Sequence, residues 1–311
     1  MDLIRYASLA ANSHNTQPWL FQVGNEGIRL LPDFARRTPV VDPDDHHLFV
    51  SLGCAAENLA ISAEAMGYTC AGTCTDDGIM QFQLGAGVAR SDPLFGAIAR
   101  RQSTRALYDG RPVPNNHLDI LVQSAMRPGV RVVLMTDARQ IGQMRDLAVA
   151  GNNVQLGDPG FVGELKRWLR FNPRAAMAKG DGLYTACTGN PVLPDWLGPH
   201  AFDLFLNAKV ENDKLARQIA SSSGLAIFIG DRAGRASWVE TGRACQRFLL
   251  TAAQLGLKSA FINQPVEVTP FRSELAVLAG EAGKRPDLVL RFGYGPTMPY
   301  APRRPVSAVL I

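Results

Sequence analysis

The chain has 311 residues, 46% hydrophobic and 19% charged, with a formal net charge of +4 and a pI near 8.9. That is the make-up of a globular protein able to bury a sizeable core, and it excludes a disordered or fibrous chain. The basic residues are scattered, with no run of five or more Lys/Arg, so no nucleic-acid footprint is indicated, whereas a small anionic ligand suits the balance.

No uninterrupted apolar stretch approaches the length of a bilayer span. Five cysteines (Cys54, Cys70, Cys74, Cys187 and Cys245) form no CxxC pair, and their odd number reads as buried thiols in a reducing, cytoplasmic setting. The opening MDLIRYASLA lacks a basic n-region and a long h-region and so carries no export signal. It enters structure so abruptly that removal of an upstream leader stays open.

Residues 2–12 carry apolar groups at helical spacing, with Asp2 at the positive end. The polar stretch Ser13-His14-Asn15-Thr16-Gln17-Pro18-Trp19 follows. Strand-like runs at Trp19–Val23 and Ile28–Leu31 flank a hairpin joint, Gly24-Asn25-Glu26-Gly27. Asp42-Pro43-Asp44-Asp45 supplies helix-start chemistry, and a long helix is predicted from about Asp44 to Met66, stopping near Gly67. Tyr68–Gly72 and Met80–Leu84 read as strands, and a basic connector, Ile98–Arg105, closes the first set of elements.

The second set begins near Asn116. Helices are predicted over about His117–Met126, Ala138–Val149, Phe161–Phe171, Val210–Ser222 and Trp238–Leu255, and strands over Val130–Met135, Leu225–Ile229, Lys258–Ile262 and Leu288–Phe292. Residues 172–200 break the pattern with repeated Gly and Pro, which precludes long regular structure and reads as a lid or binding loop.

One self-match organises the chain. Gly53–Tyr68 aligns without gaps to Gly242–Leu257, an offset of 189 residues (242 minus 53), with Gly at both ends of each helix and small residues between. Such helices can approach closely and form a seam between related halves. Chance likeness of small-residue helices is the competing explanation; the strand that follows each copy argues for duplication. The expected division is 1–98 for the first half and 99–311 for the second, packed as one unit, a dimer fused into a monomer. The second half has no counterpart of Ser13–Trp19, since its first helix ends in Met126-Arg127-Pro128-Gly129, so one complete site is expected.

Arg101-x-Ser103-x-Arg105 would, in an extended segment, present two guanidiniums and a hydroxyl to one side, a receptor for a phosphate or an electron-rich ring edge. Arg303-Arg304, between Pro302 and Pro305, is a second candidate clamp. Either cluster alone reads more readily as a solvated basic face than as a ligand site. Together, the SHNTQPW loop before a strand, RxSxR, the Gly-to-Gly helix and the Arg-rich tail resemble the FMN-dependent nitroreductase family, in the order of its fused single-chain, Acg-type branch. The resemblance runs from Tyr6–Asn12 through Tyr300–Pro305.

What the resemblance implies is an α+β fold, a three-layer α/β/α arrangement with mixed sheets, internally duplicated as a pseudo-dimer. It implies FMN as cofactor and two-electron transfer from NAD(P)H to a nitroaromatic, a quinone or a similar acceptor. Arg101, Ser103 and Arg105 would contact the phosphate, ribityl chain and pyrimidine edge. Ser13, His14, Asn15 and Gln17 would supply what a partner subunit donates across a family dimer. Asn172 would lie at the ring edge, Phe261, Ile262 and Asn263 would follow the seam helix at flavin N5, and Arg303 and Arg304 would hold the phosphate. Because the flavin carries the hydride chemistry, no catalytic dyad is required, and Arg101 or Arg105 would act as electrostatic stabilisers. The insert at 172–200 departs from an ordinary nitroreductase and opens a second reading, an FMN store whose lid blocks turnover. A monomeric pseudo-dimer or a weak homodimer is expected.

No metal site is expected. Adjacent His46 and His47 after Asp44-Asp45 have no HExxH or His-x-His partner, and Cys70-x3-Cys74 has no second pair. No Rossmann or P-loop signature follows a strand.

Overall fold

The computed structural model describes residues 1–25 and 27–311; Glu26, in the expected hairpin joint, lies outside the described residues. The first half runs α1 (Asp2–Ala7), β1 (Trp19–Gly24), β2 (Gly27–Pro32), α2 (His46–Ala65), β3 (Tyr68–Cys74), β4 (Met80–Ala86) and α3 (Pro93–Ile98). The second runs α4 (Asn115–Ser124), β5 (Val130–Met135), α5 (Ala138–Leu156), α6 (Pro159–Trp168), β6 (Leu169–Arg170), α7 (Pro173–Lys179), β7 (Leu183–Tyr184) and α8 (Gly198–Phe205). It continues with α9 (Ala208–Ala220), β8 (Gly224–Gly230), α10 (Arg235–Gln254), β9 (Lys258–Phe261), α11 (Gln264–Glu267), α12 (Arg272–Leu278) and β10 (Pro286–Gly293).

Two four-stranded sheets result, ordered β1-β2-β4-β3 and β5-β8-β10-β9, each antiparallel throughout. Parallel pairing is confined to the short β6–β7 ladder and to isolated bridges, so neither large sheet is mixed. In both sheets a 20-residue helix, α2 or α10, connects the second strand in sequence to the third. The two helices pack against each other between the sheets. Trp19, Phe21, Leu30 and Phe82 reach them from one side, and Phe228, Leu290 and Phe292 from the other.

Beyond the second sheet a further layer covers its outer face: Ile141, Met144 and Leu147 of α5, Ile219 of α9 and Leu275 of α12 pack on Ile227, Ile229 and Val289. β8 and β10 are therefore buried along their whole length, which is why they read as continuous apolar runs rather than alternating ones. The first sheet has only one covered face, and β4 accordingly alternates buried and exposed over its first four residues. The fold is α+β, and its α/β/α layering belongs to the second half.

α2 has the length and apolar content of a membrane span, and most of it is buried inside the protein. Its Glu57 is buried among guanidiniums of α10 and the α4–β5 turn, taking hydrogen bonds from Arg243 (2.8 Å) and Arg247 (2.9 Å) and facing Arg127. Burial alone would raise this carboxyl, but Arg243, Arg127 and Arg247 hold it below the usual range.

The predicted elements recur with shifted ends. α1 stops at Ala7, not residue 12, because the Leu9 and Ala10 amides close tighter turns onto Tyr6 and Ala7, and Asn12 is fully extended. α5 continues a further turn and more, to Leu156. Inside 172–200 the chain forms α7, capped by the Asn172 side chain at N3, before irregular backbone leads to α8. Besides α7 and α8, the helices not predicted are α3, opened by Asp92-Pro93, and α11 and α12, short segments opened by Gln264-Pro265 and Arg272.

Candidate functional site

A cavity of about 560 Å³ lies where the first half meets the second half and the insert. That volume falls within the roughly 300–1,000 Å³ of cofactor and small-molecule sites. Its polar wall includes Ser13, His14, Ser51 and Arg105; Leu165, Phe171, Leu193 and Phe202 contribute an apolar wall.

The polar loop is held in an unusual conformation. His14, Asn15 and Gln17 have φ of 49°, 54° and 52°, three of the four positive values among the described non-glycine residues. Conformations of this kind persist only where surrounding contacts enforce them. The enforcing contacts come from distant segments of the chain. Asn15 donates to the carbonyls of Gly182 (3.1 Å) and Pro302 (3.0 Å) and accepts from Arg303 (2.7 Å). Gln17 donates to Gly180 (2.8 Å) and accepts the Arg304 amide (2.8 Å). These two side chains tie the loop to the insert and the C-terminal tail, while Ser13 and His14 face the cavity. The Ser13 hydroxyl lies 3.0 Å from His14 Nδ1. Burial, and then Arg105, press the His14 imidazole down to about 4, so it is neutral at pH 7.

The RxSxR segment splits in direction. Ser103 bridges to Ser259 as an added edge on β9, and the Thr104 amide donates to the Ser259 carbonyl at 2.8 Å. Arg101 turns to a second, smaller cavity of about 170 Å³ and donates to the Leu9 carbonyl at 2.9 Å. Arg105 faces the large cavity, and its guanidinium has no hydrogen-bond or ion-pair partner among the described residues. Its backbone, by contrast, is clamped. Gln218 donates to the Arg105 carbonyl (2.8 Å), and the buried Arg291 donates to those of Thr104 (3.1 Å) and Ala106 (2.8 Å). The Arg291 guanidinium also stacks on Tyr108 at 4.1 Å. Arg291 is therefore a positioning residue that the motif reading did not select; its signal was a single cation inside the apolar run Leu288–Phe292.

Of the other candidates, Phe261, Ile262 and Asn263 line the cavity, with the Asn263 carbonyl oxygen of the side chain accepting the Val289 amide at 2.9 Å. Asn172 caps α7 and donates to Asp195 (2.6 Å), holding the insert's own shape. Arg303 threads into the first half, donating to Ser8 (3.0 Å), Ala10 (3.3 Å) and Asn15. Arg304 faces Asp33 at 3.5 Å. The cavity thus gathers Ser13, His14, Arg105, Phe261, Ile262 and Asn263; Asn15, Gln17, Asn172, Arg303 and Arg304 make the frame around it.

The cavity wall carries Arg105, Lys214 and Arg291 together with the carboxylates of Glu211 and Glu267. Arg101, Arg105, Arg291 and Arg303 have no carboxylate partner among the described residues. Burial and then Arg101 press Arg303 down to about 9, and burial lowers Arg105 as well. A guanidinium stays protonated at neutral pH regardless, so both groups carry their charge in partly desolvated surroundings. The arrangement can receive an anion with an attached flat, largely apolar body.

No family model matches the chain. In sequence it is 24% identical, over 99% of its length and 90% of theirs, to proteins named "Putative NAD(P)H nitroreductase" from two strains of Mycobacterium tuberculosis, CDC 1551 / Oshkosh and H37Rv. Among solved structures it is similar to an FMN-bound nitroreductase of Desulfitobacterium hafniense DCB-2 (15% identity, TM-score 0.42, covering 70% of this chain and 95% of that one). It is likewise similar to an FMN-bound nitroreductase of Bacteroides fragilis NCTC 9343 (12%, 0.42, 69% and 96%). Along nearly its whole length, then, this chain resembles the nitroreductases.

Proposed function

We propose that the protein is an FMN-dependent oxidoreductase of nitroreductase type, with one flavin site between its halves. The observation that carries this reading is Arg105: a clamped, unpaired guanidinium at the wall of a cavity of cofactor size. Arg105 would neutralise the cofactor's phosphate or the electron-rich edge of its ring, with Ser13 and neutral His14 as hydrogen-bonding neighbours. Phe261, Ile262 and Asn263 would support the ring. Bound FMN supplies two-electron chemistry between a reduced nicotinamide and an acceptor such as a nitroaromatic or a quinone. A reducing, cytoplasmic setting accords with five free cysteines. The fused-dimer origin of the chain, divided at 98/99, is part of the same reading; the equal strand orders and the reciprocal α2–α10 contact support it. Yellow protein after purification, or saturable uptake of added FMN, is the expected result. Colourless protein that also fails to take up added FMN would sink the reading.

A second reading, an FMN store, has its own observation. The insert walls the cavity with Leu183 and Leu193, between Phe171 and Phe202 at its two ends, and is locked down by Asp181, which pairs with Arg170 (2.6 Å) and with Arg36 of the first half. Anaerobic stopped-flow mixing with NADH and NADPH separates the two. Rapid bleaching of flavin absorbance supports the enzyme; a flavin that stays oxidised supports the store.

A further inference from the structure

Away from the arginines, a cluster of opposite character joins the two halves. Asp42, His46 and His47 are buried, and one donor atom from each lies within 4.8 Å of the others. Two further carboxylates arrive from the second half. Asp287 Oδ1 of β10 is 3.2 Å from His46 Nε2, and Glu267 Oε1 of α11 is 3.5 Å from His47 Nε2.

These pairs lack the geometry of partners aimed at each other. At 3.2 Å from a carboxylate oxygen, His46 Nε2 is still a buried nitrogen without a hydrogen bond. Both separations are close to the ligand–ligand edges around a cation with bonds of about 2.0–2.1 Å, roughly 2.9 Å in an octahedron and 3.3 Å in a tetrahedron. The remaining lone pairs are accounted for. Asp42 accepts the His47 and Leu48 amides at 3.0 Å each. Asp287 Oδ2 accepts the Gly230 amide (2.8 Å) and the Thr241 hydroxyl (3.1 Å), and Glu267 Oε2 accepts from Gln155 (2.6 Å). Outer hydrogen bonds of this kind orient ligands around a metal.

The charge count points the same way. Asp42, Asp287 and Glu267 have no Lys or Arg ion-pair partner among the described residues. Of the guanidiniums nearby, Arg285 pairs with Asp44 (2.7 Å), and Arg272 donates its Nε to the Val266 carbonyl (2.6 Å). Two buried carboxylates, Asp42 and Asp287, and the half-buried Glu267 thus face two imidazoles with no Lys or Arg cation among them.

We propose that Asp42, His46 and His47, with Asp287 and Glu267, form a site for one divalent first-row transition-metal ion that pins the start of α2 to β10 and α11. Imidazole and carboxylate donors without thiolate suit zinc-like ions, and the two histidines disfavour calcium or magnesium. His47 and Glu267 also line the large cavity, so the cluster borders it.

Chelator-treated full-length protein titrated with Co²⁺ tests this, followed by visible d–d absorption, with Zn²⁺ as competitor and elemental analysis for stoichiometry. One ion per chain is expected, displaced by Zn²⁺, with affinity weakened about a hundredfold or more in His46→Ala and in Asp287→Asn. Circular dichroism shows that each protein is folded, and the wild-type titration decides by itself if a variant is not. Absence of stoichiometric Co²⁺ binding to folded wild type would mean that the cluster is two histidine–carboxylate contacts without a metal. Unchanged binding in both folded variants would place the ion elsewhere, with the same consequence. FMN uptake, measured in parallel, is an independent readout, so failure of one proposal leaves the other standing.

Discussion

Gly53 and Gly242 meet where α2 crosses α10, and neither has room for a β-carbon. A side chain on Gly53 would begin 2.0 Å from the Val239 carbonyl oxygen, and one on Gly242 would begin 2.0 Å from that of Val50. Val50 and Val239 are themselves related by the 189-residue offset of the self-match, so the contact is reciprocal. Because backbone, not a flexible side chain, fills the space, relief requires the helices to separate. Gly53→Ala and Gly242→Ala should each lower stability by about 3 kcal/mol or more, in similar measure. Urea unfolding of the two variants checks this; a loss below about 1 kcal/mol in either would mean that the crossing yields.

Arg105 and Arg303 should behave differently. Arg105 makes no side-chain contact that holds the fold, so Arg105→Ala should leave the melting temperature of the flavin-free protein unchanged. It should weaken FMN binding by about tenfold to a hundredfold, the value of one charge-assisted bond of about 1.5–3 kcal/mol. Arg303 holds the carbonyls of Ser8 and Ala10 and the Asn15 side chain, so Arg303→Ala should lower the melting temperature as well. Fluorescence titration with FMN and thermal scans of both variants separate the roles.

Asp181 is the fastening of the insert. It accepts from Arg170 at Nε (3.1 Å) and Nη2 (2.6 Å) and from Arg36, whose Nε also donates to the Thr16 carbonyl. Asp181→Ala leaves two partly buried guanidiniums unpaired and should cost about 2–4 kcal/mol. If the insert governs access, the same variant should release bound FMN several-fold faster. Release into an excess of apoflavodoxin-type scavenger, followed by absorbance, measures it; an unchanged rate would show that the insert is not the gate.

His14 gives a pH signature. Its folded value of about 4 lies below the 6.5 of an unfolded chain. Between those values the unfolded chain holds the proton and the folded one does not, so this contribution to stability is complete above pH 6.5 and is lost as pH falls toward 4. Burial opposes protonation first and Arg105 second, and His47 lies nearby. His14→Asn, which tolerates the positive φ, should flatten the fall of the urea midpoint between pH 6.5 and 4. Parallel slopes for the two proteins would exclude the effect.

Much of the fold was legible because it rests on local periodicity. The 20-residue apolar helices, the alternating or continuous strands and the Gly-to-Gly match follow from which residues can line one face at helical or strand spacing. The polar loop was also legible as a place where side chains must find partners. The identity of those partners was not, since Asn15 reaches Gly182 and Pro302, distant in the chain by 167 and 287 residues. Spacing set Arg101 and Arg105 on one side of an extended segment; packing of Leu9 and the edge bridge at Ser103 turned them to different cavities. For the histidines, sequence neighbours alone gave no ligand set. Asp42 joins them through the turn into α2, and Asp287 and Glu267 come from elements more than 200 residues later. Sequence by itself determined the elements, the seam and the excess of cationic groups. Tertiary structure decided which of those groups remain unpaired, because that depends on contacts between chain segments whose separation no local pattern encodes.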